Sequence, residues 1–488
     1  MRAIRGADRG LGVGRMFDPV DRSLSVGGLG VIVAVLAVVA VMLDASALDV
    51  WTGLIVFLIL VIVSVPLASW IARIERDPWL FPVLLGGIVA HLAFALVRYF
   101  FIFSIYKGSA DAGKYHEAGV TFVNHLRDGV PLHPIPIMEG FPPESQRIGD
   151  VVGGLYTVTG PSAYAGFFVF SWLCAIGLVL MVRAFKVALP EGDYRRYALV
   201  LMFLPSLLFW PSSIGKEALM IFCLGVITYG AALLLAPRPQ VRGAWCFALG
   251  LLLVALVRPH VALMSAAGLV LALMVAVMTS ARATERLGAR GRFVRVVGLV
   301  VMVVVALVVV SRMGEVLDER GTETTAAASL EKATEQTKIG NSEFTPVAVS
   351  SPQALPAAVV SVLFRPFPWE ARNANSLIAA MESLILIGLF VASWRRVLSF
   401  PKLVTRRPFL LFCAAYVVAF SIGFSFIANF GILARQRVQV LPAVLVLVAL
   451  PTAVAARRGA RAESTVGPGT LNPGMTAVDG GARVGSVT

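Results

Sequence analysis

Long, uninterrupted blocks of apolar residues dominate the sequence. Each block is about 17–25 residues long, the length that an α-helix needs to cross a hydrocarbon layer of about 30 Å. A membrane barrel would instead show strands of about ten residues with alternating hydrophobicity. The chain is also 58% hydrophobic and only 14% charged, whereas a soluble domain is roughly a quarter charged. The sequence therefore predicts an all-α integral membrane protein.

The apolar blocks predict about twelve transmembrane helices. They lie near residues 24–43, 51–71, 80–105, 162–182, 197–211, 216–235, 243–257, 261–280, 294–312, 375–394, 408–428 and 438–456. A further apolar segment at 354–366 is only about a dozen residues long, which is typical of a re-entrant or interfacial helix.

The distribution of charge predicts the orientation of these helices. If the N-terminus is cytoplasmic and the spans alternate, the cytoplasmic segments hold 27 of the 42 Lys and Arg residues but only 10 of the 28 acidic residues. This excess is the positive-inside pattern of multi-pass proteins. Both termini are then cytoplasmic, in the plasma membrane. The basic character of the chain is explained by topology and by anionic lipid, so we expect no nucleic-acid partner.

The same topology divides the chain into three parts. A basic cytoplasmic N-terminus at 1–23 precedes the membrane domain at 24–456, and a disordered cytoplasmic tail follows at 457–488. Two larger external loops, at about 106–161 and 313–374, are expected to carry interfacial helices. The four cysteines fall inside predicted spans, with no disulfide or metal-ligand spacing. We therefore predict no metal site and no cofactor.

The first external loop opens with Asp111, followed by Tyr115 and further apolar residues at helical spacing. This pattern predicts a helix that lies in the membrane interface. Asp111 has two interpretations. It is well placed to be the N-cap of that helix, and it is also a carboxylate at the membrane surface that can take a proton from a hydroxyl group.

A second cluster, Ser213-Ile-Gly-Lys216-Glu217, joins two predicted spans on the external side. Ser213 is a candidate N-cap and Glu217 suits the helix dipole, but a lysine at a helix N-terminus is unfavourable. An anion such as phosphate, bound between Lys216 and the free backbone N–H groups, would explain its position. The alternative is a lysine that reaches from a span end towards water.

Arginines recur at the external ends of the spans, against the positive-inside trend. They are Arg258, Arg365, Arg435 and Arg437. A guanidinium group suits two-pronged contact with phosphate or pyrophosphate. Contact with lipid phosphates or salt bridges within the protein is the alternative for any one of them. The predicted location of all three clusters on one side favours a shared site.

At these residues the sequence resembles two groups of membrane proteins. The Asp-x-x-x-Tyr motif at Asp111 and Tyr115 is similar to the first external loop of the GT-C superfamily of polyprenyl-linked glycosyltransferases. The Ser-x-x-x-Lys-Glu stretch and the external arginines look more like O-antigen or exopolysaccharide polymerases of the Wzy and EpsG type.

This resemblance implies transfer of a sugar from a polyprenyl-phosphate-linked donor to a glycan or glycolipid acceptor at the external face, in cell-envelope assembly. Asp111 is then the catalytic base, while Tyr115, Lys216, Arg258, Arg365, Arg435 and Arg437 bind substrate or phosphate. Two alternatives stay open. One is a transporter or flippase of a lipid-linked or anionic substrate, and the other is a non-catalytic membrane protein of envelope assembly.

Overall fold

A computed structural model describes residues 48–236, 239–281, 342–349, 351–372 and 374–452, together with isolated helical positions at 35, 36, 38, 39, 293, 296 and 300. The predicted termini 1–23 and 457–488 lie outside the described residues. So do most of the predicted spans 24–43 and 294–312 and half of the predicted loop 313–374.

The described part of the chain is helical, apart from an isolated bridge between Glu343 and Asn429. Its longer helices are α1 (Leu48–Ile74), α2 (Leu80–Phe100), α3 (Asp111–Asp128), α4 (Pro143–Thr159), α5 (Ala163–Ala188), α6 (Tyr194–Phe203), α7 (Pro205–Phe209), α8 (Lys216–Leu235), α9 (Val241–Val257), α10 (Pro259–Ala281), α11 (Leu355–Phe364), α12 (Ala374–Ala392), α13 (Pro408–Phe424) and α14 (Phe430–Arg437). A π-helical turn, Phe101–Ile105, extends α2.

Five of these helices are long and apolar enough to cross a membrane: α1, α2 with its π turn, α5, α8 and α10. They coincide with five of the predicted spans and confirm the membrane character of the chain. Two bent helix pairs raise the number to seven if each pair is one span. One pair joins α12 to 394–404 with a 68° bend, and the other joins α14 to 441–449 with a 60° bend. The count of twelve stays a prediction.

Three further predicted spans are shorter or broken in the structure. Helices α9 and α13 are apolar but 17 residues long. The predicted span 197–211 is not one continuous helix, because Leu204 adopts an extended conformation between α6 and α7. Pro205 explains the break, since a proline disfavours the helical conformation in the residue that precedes it.

Small residues let the central helices approach closely. A Cβ atom added to Gly177 on α5 would lie 2.5 Å from the carbonyl oxygen of Ile221 on α8, and one added to Gly225 would lie 2.4 Å from the carbonyl oxygen of Gly177. Such backbone contact needs glycine on both helices. This packing fixes α8, and with it the position of Lys216 at its first residue.

Helices α3 and α4 pack against each other outside the long apolar helices. The sequence predicted the first of them and missed the second. A Cβ atom on Gly119 would lie 2.5 Å from Val152, and one on Gly153 would lie 2.3 Å from Phe122. The pair therefore has a closely fitted interface, which determines where Asp111 begins α3.

The segments predicted to be cytoplasmic meet one another through ion pairs. Glu75 contacts Arg183 at 3.2 Å and Lys186 at 3.3 Å. The other pairs are Asp77–Arg195, Asp193–Arg396 and Glu191–Arg407. These contacts join the loops near residues 75, 190 and 400 into one charged cluster, the basic end. All the segments that it joins were assigned to the same side by the positive-inside rule.

Candidate functional site

Five of the seven predicted site residues line one cavity of about 340 Å³: Asp111, Tyr115, Lys216, Arg258 and Arg435. They come from four separate parts of the chain. Asp111 and Tyr115 lie on the first turns of α3, Lys216 begins α8, Arg258 lies between α9 and α10, and Arg435 lies on α14. The structure thus brings together residues up to 324 positions apart in sequence.

Glu217 stands at the centre of the charged network beside this cavity. Its Oε1 atom accepts a hydrogen bond from Arg258 Nη2 at 3.0 Å. The same oxygen lies 3.1 Å from Nε of Arg435. Only 7% of Glu217 is exposed. Arg258 is buried and Arg435 is half-buried, and both approach the same carboxylate oxygen. Glu217 therefore supplies the negative charge that offsets the two guanidinium groups.

Arg435 links Glu217 to Asp111. Its Nη1 atom donates a hydrogen bond to Asp111 Oδ2 at 2.8 Å, so one guanidinium group contacts both carboxylates. The Asp111 side chain is 49% exposed and faces the cavity. The ion pair orients Asp111, while its exposure leaves the carboxylate accessible to a bound molecule.

Gln436 holds Arg258 from the other side. Its Oε1 atom accepts hydrogen bonds from Arg258 Nη1 and, at 2.8 Å, from Gln439 Nε2. Gln436 also lines the cavity. The amide fixes the direction of the Arg258 fork, because both partners of its oxygen are buried donors.

Lys216 differs from the two arginines. It lines the cavity, and within the described residues its ammonium group has no hydrogen bond and no ion pair within 4 Å; its principal carboxylate neighbour is Glu144, which also lines the cavity. Arg98, on α2, is likewise without a carboxylate partner in the described chain; it lies over Phe209 and Trp210 and interacts electrostatically with Glu217 and Arg435. The charges of Arg258 and Arg435 are offset by Glu217 and Asp111, so in the described chain the cations near the cavity without an ion pair are Lys216 and Arg98.

Tyr115 is suited to donating a hydrogen bond and not to accepting a proton. Burial, together with the nearby Asp111 carboxylate, raises the pKa of its phenol to about 12. The phenol therefore stays protonated over the physiological pH range. Among the residues predicted for this site, Asp111 is the carboxylate placed to act as a base.

The lining of the cavity also includes apolar residues. They are Phe141, Val257, Pro259, Phe424 and Ile427. His260 also lines the cavity, with its ring 5.7 Å from that of Phe424. The cavity therefore offers both charged and apolar side chains to the same ligand, as expected for a molecule with a polar head and a hydrocarbon part.

Arg365 lies in a different pocket. Its guanidinium group donates two hydrogen bonds to Glu370 from Nε, at 2.9 and 3.1 Å, and one to the carbonyl oxygen of Thr345 at 3.1 Å. It also lies 4.4 Å above the ring of Phe344. These contacts satisfy the guanidinium within the protein and hold 343–346 against 365–370.

Arg437 is buried away from both pockets, with 1% of its surface exposed. Nη1 donates hydrogen bonds to the carbonyl oxygens of Leu363 and Arg365 and to Ser383 Oγ, each at 3.0 Å. Nη2 lies 3.7 Å from Glu382 on α12. Arg437 therefore connects α14 to α11 and α12, and it provides the partner that the intramembrane Glu382 requires.

Both proposed helix caps differ from the prediction. Asp111 is the first residue of α3, and the N-cap position belongs to Ala110 without a side-chain hydrogen bond. The N-cap of α8 is Gly215 and not Ser213. At α8 the first turn carries Glu217, whose negative charge is favourable at a helix N-terminus.

Glu217, Glu144 and Gln436 belong to this site and were not predicted as site residues. Glu217 had a signal, because a glutamate beside an unfavourable lysine at an external span end is itself an intramembrane charge. Gln436, between two arginines, had a weaker signal. Glu144 had none in the sequence, because its position depends on the packing of α3 against α4.

No protein-family model, curated protein or solved structure matches this chain. The cavity and its charges are therefore the basis for assigning a function.

Proposed function

We propose that this protein transfers a sugar from a polyprenyl-phosphate-linked donor to a glycan or glycolipid acceptor, at the external face of the cell membrane. The observation that carries the proposal is the convergence of Asp111, Lys216, Arg258 and Arg435 on one cavity that is also lined by apolar residues. A carboxylate, a set of cations and a hydrocarbon-compatible surface are the three features that such a reaction uses.

The proposed reaction moves one proton and exchanges one bond. Asp111 takes the proton of an acceptor hydroxyl group, and that oxygen attacks the anomeric carbon of the donor sugar. The bond between the anomeric carbon and the phosphate oxygen breaks, and the electron pair leaves with the phosphate. Lys216 is placed to stabilise the charge on the departing phosphate, because no carboxylate of the described chain forms an ion pair with it.

Arg258 and Arg435 have a second role in this scheme. Glu217 already contacts both, so they contribute hydrogen-bond donors in fixed positions more than net charge. Arg435 also orients Asp111 through their 2.8 Å hydrogen bond. The apolar residues Phe141, Phe424 and Ile427 line the same cavity and are available for the first part of the prenyl chain.

Substitutions at three positions test the proposal. We expect Asp111→Asn to lower the rate of transfer by roughly 10²–10⁴-fold, the usual contribution of a general base. Lys216→Ala and Arg435→Ala should each lower this rate by roughly 10²-fold or more. The first removes the cation that stabilises the leaving phosphate, and the second removes the guanidinium group that orients Asp111. The readout is the amount and chain length of surface glycan made by cells that carry each variant.

Asp128→Asn and Arg127→Ala are matched controls. Both residues lie at the far end of α3, are exposed and form no side-chain ion pair in the described structure. Each control should leave glycan production unchanged at equal membrane expression. Unchanged glycan amount and length in all three site variants would exclude this cavity as the site of transfer.

A further inference from the structure

A second pocket, of about 670 Å³, lies beside Phe430, the first residue of α14. It is formed by 343–346, by 365–372 and by Phe430. We call it the aromatic pocket. The cavity lined by Asp111, Lys216, Arg258 and Arg435 is called the charged cavity. Phe430 lines the aromatic pocket, whereas Ile427 and Arg435 line the charged cavity, so the segment 427–435 borders both.

The floor of the aromatic pocket is fully engaged within the protein. Phe344 and Phe430 stack with ring centroids 4.1 Å apart and planes 2° from parallel. Arg365 covers Phe344 and is itself held by Glu370, whose Oε2 atom also accepts a hydrogen bond from the backbone N–H of Phe367 at 2.9 Å. The two rings of this floor pack against each other, and Glu370 offsets the charge of Arg365.

The rim of the pocket is different. Trp369 is 80% exposed, and its indole stacks on the ring of Phe367, with ring centroids 5.0 Å apart. Glu343, Thr345 and Arg372 also line the pocket, and within the described residues their side chains have no hydrogen-bond or ion-pair partner. The rim thus presents the flat apolar face of Trp369 beside three polar groups. These are the carboxylate of Glu343, which accepts hydrogen bonds, the hydroxyl group of Thr345, and the guanidinium group of Arg372 with its five N–H donors.

A saccharide matches this combination. One face of a sugar ring carries C–H groups that stack on an aromatic plane, and its edge carries hydroxyl groups that both donate and accept hydrogen bonds. A phosphate is a poorer match, because Glu343 would repel it. The volume is within the range of small-molecule sites, roughly 300–1,000 Å³.

We infer that the aromatic pocket binds the sugar chain of an uncharged saccharide, with one ring stacked on Trp369 and its hydroxyl groups bonded to Glu343 and Arg372. Its identification as the acceptor glycan rests on the proposed function, because only then does the neighbouring Asp111 act on that chain. Binding itself does not depend on transfer.

Binding can be measured directly on the full-length protein in lipid nanodiscs. The probe is a mixture of short neutral oligosaccharides released from the envelope polysaccharide of the host cell, followed by saturation-transfer NMR. We expect saturation of the sugar ring protons with the wild-type protein. Trp369→Ala should lower the affinity for the oligosaccharides by roughly fivefold or more, because an aromatic contact of this kind contributes about 1 kcal/mol. Trp369→Tyr should retain most of the signal.

Trp245→Ala is the matched control. Trp245 is 70% exposed but lies on α9, outside both pockets. The Trp245→Ala variant should bind the oligosaccharides as the wild-type protein does. Equal binding by Trp369→Ala and wild type would overturn the inference and would assign Trp369 to anchoring at the membrane interface. Absence of binding by the wild-type protein would overturn it as well.

The two proposals fail in distinguishable ways. Lys216→Ala should still bind the oligosaccharides, because Lys216 lies in the charged cavity alone. If Trp369→Ala loses binding while Asp111→Asn keeps full glycan production, the aromatic pocket is a saccharide site and the proposed transfer is wrong. If Asp111→Asn abolishes glycan production but Trp369→Ala binds normally, the pocket inference is wrong and the proposed function stands.

Discussion

Glu217 is the residue on which the geometry of the charged cavity depends. Its Oε1 atom is within 3.1 Å of nitrogen atoms of both Arg258 and Arg435. Removal of one partner from a buried ion pair typically costs about 3–5 kcal/mol, because the remaining charge is left uncompensated. Here two guanidinium groups would be left facing each other.

We therefore expect Glu217→Gln to lower the thermal stability of the purified protein by several degrees and to reduce its activity. The apparent melting temperature in detergent, followed by fluorescence, is the measurement. Glu117→Gln is the control, because Glu117 is exposed on α3 and its side chain has no ion pair in the described structure. A Glu217→Gln variant as stable as the wild type would show that the two arginines do not need this carboxylate.

Single residues were predicted from the sequence with uneven success. Asp111, Lys216, Arg258 and Arg435 were predicted because charges at the end of an apolar segment conflict with their surroundings, and Tyr115 was predicted from the Asp-x-x-x-Tyr motif. The structure places all five on one cavity, and their roles stay predictions. The same reasoning predicted Arg365 and Arg437 as site residues, but in the structure they form ion pairs with Glu370 and Glu382. Sequence shows that a buried charge needs a partner, but only the packing shows which partner it has.

At the scale of helices, the contact between α3 and α4 positions Asp111. Gly153 is essential to that contact, because a Cβ atom there would lie within 2.6 Å of three atoms of Phe122. The next residue, Gly154, would place a Cβ atom in open space. Alanine at Gly153 changes both the packing against Phe122 and the helix propensity, whereas alanine at Gly154 changes the helix propensity alone. Comparison of the two substitutions therefore isolates the effect of packing.

We expect Gly153→Ala to displace α3 and to lower both thermal stability and glycan production. Gly154→Ala should leave glycan production unchanged and raise stability slightly, since alanine is favoured over glycine within a helix by roughly 0.5–1 kcal/mol. Thermal unfolding and glycan yield are measured for both variants at equal expression. Equal effects of the two substitutions would contradict the close contact between α3 and α4.

The sequence predicted helices best where one physical signal was strong. Apolar length identified α1, α2, α5, α8 and α10, and helical spacing of apolar residues identified α3. Helix α4 was missed because Gly149, Gly153 and Gly154 weaken its helix propensity. Gly149 and Gly153 give room to side chains of α3, and a single sequence does not show that α3 packs there. The break before Pro205 follows from the rule that a proline disfavours the helical conformation in the preceding residue. The segment 197–211 was nevertheless predicted as one span because it is apolar throughout most of its length.

At the scale of the whole molecule, the charged cavity and the basic end occupy different groups of loops. The loops that meet through Glu75, Asp77, Asp193 and Glu191 are those predicted to be cytoplasmic. The loops that meet through Asp111, Glu217 and Arg435 are those predicted to be external. The contacts agree with the alternation of charge, and the side that each group faces remains a prediction of the positive-inside rule.

Labelling of single cysteines in intact cells tests that orientation. In a variant whose four native cysteines are replaced by alanine, Glu139→Cys should react with a membrane-impermeant maleimide. Lys402→Cys should react only after the membrane is permeabilised. Both positions are exposed, so access to the reagent and not burial determines the result. The reverse pattern would place the charged cavity on the cytoplasmic side and would rule out an external reaction.

If the charged cavity binds a lipid-linked phosphate, that lipid should copurify with the protein. Lipids are extracted from purified wild-type protein, from Lys216→Ala and from the control Arg127→Ala, and are identified by mass spectrometry. We predict that polyprenyl-phosphate species are enriched over the starting membrane in the wild type and in Arg127→Ala, and that Lys216→Ala loses this enrichment while remaining monodisperse. No enrichment in the wild type, or equal enrichment in Lys216→Ala, would contradict binding of a lipid-linked phosphate in this cavity.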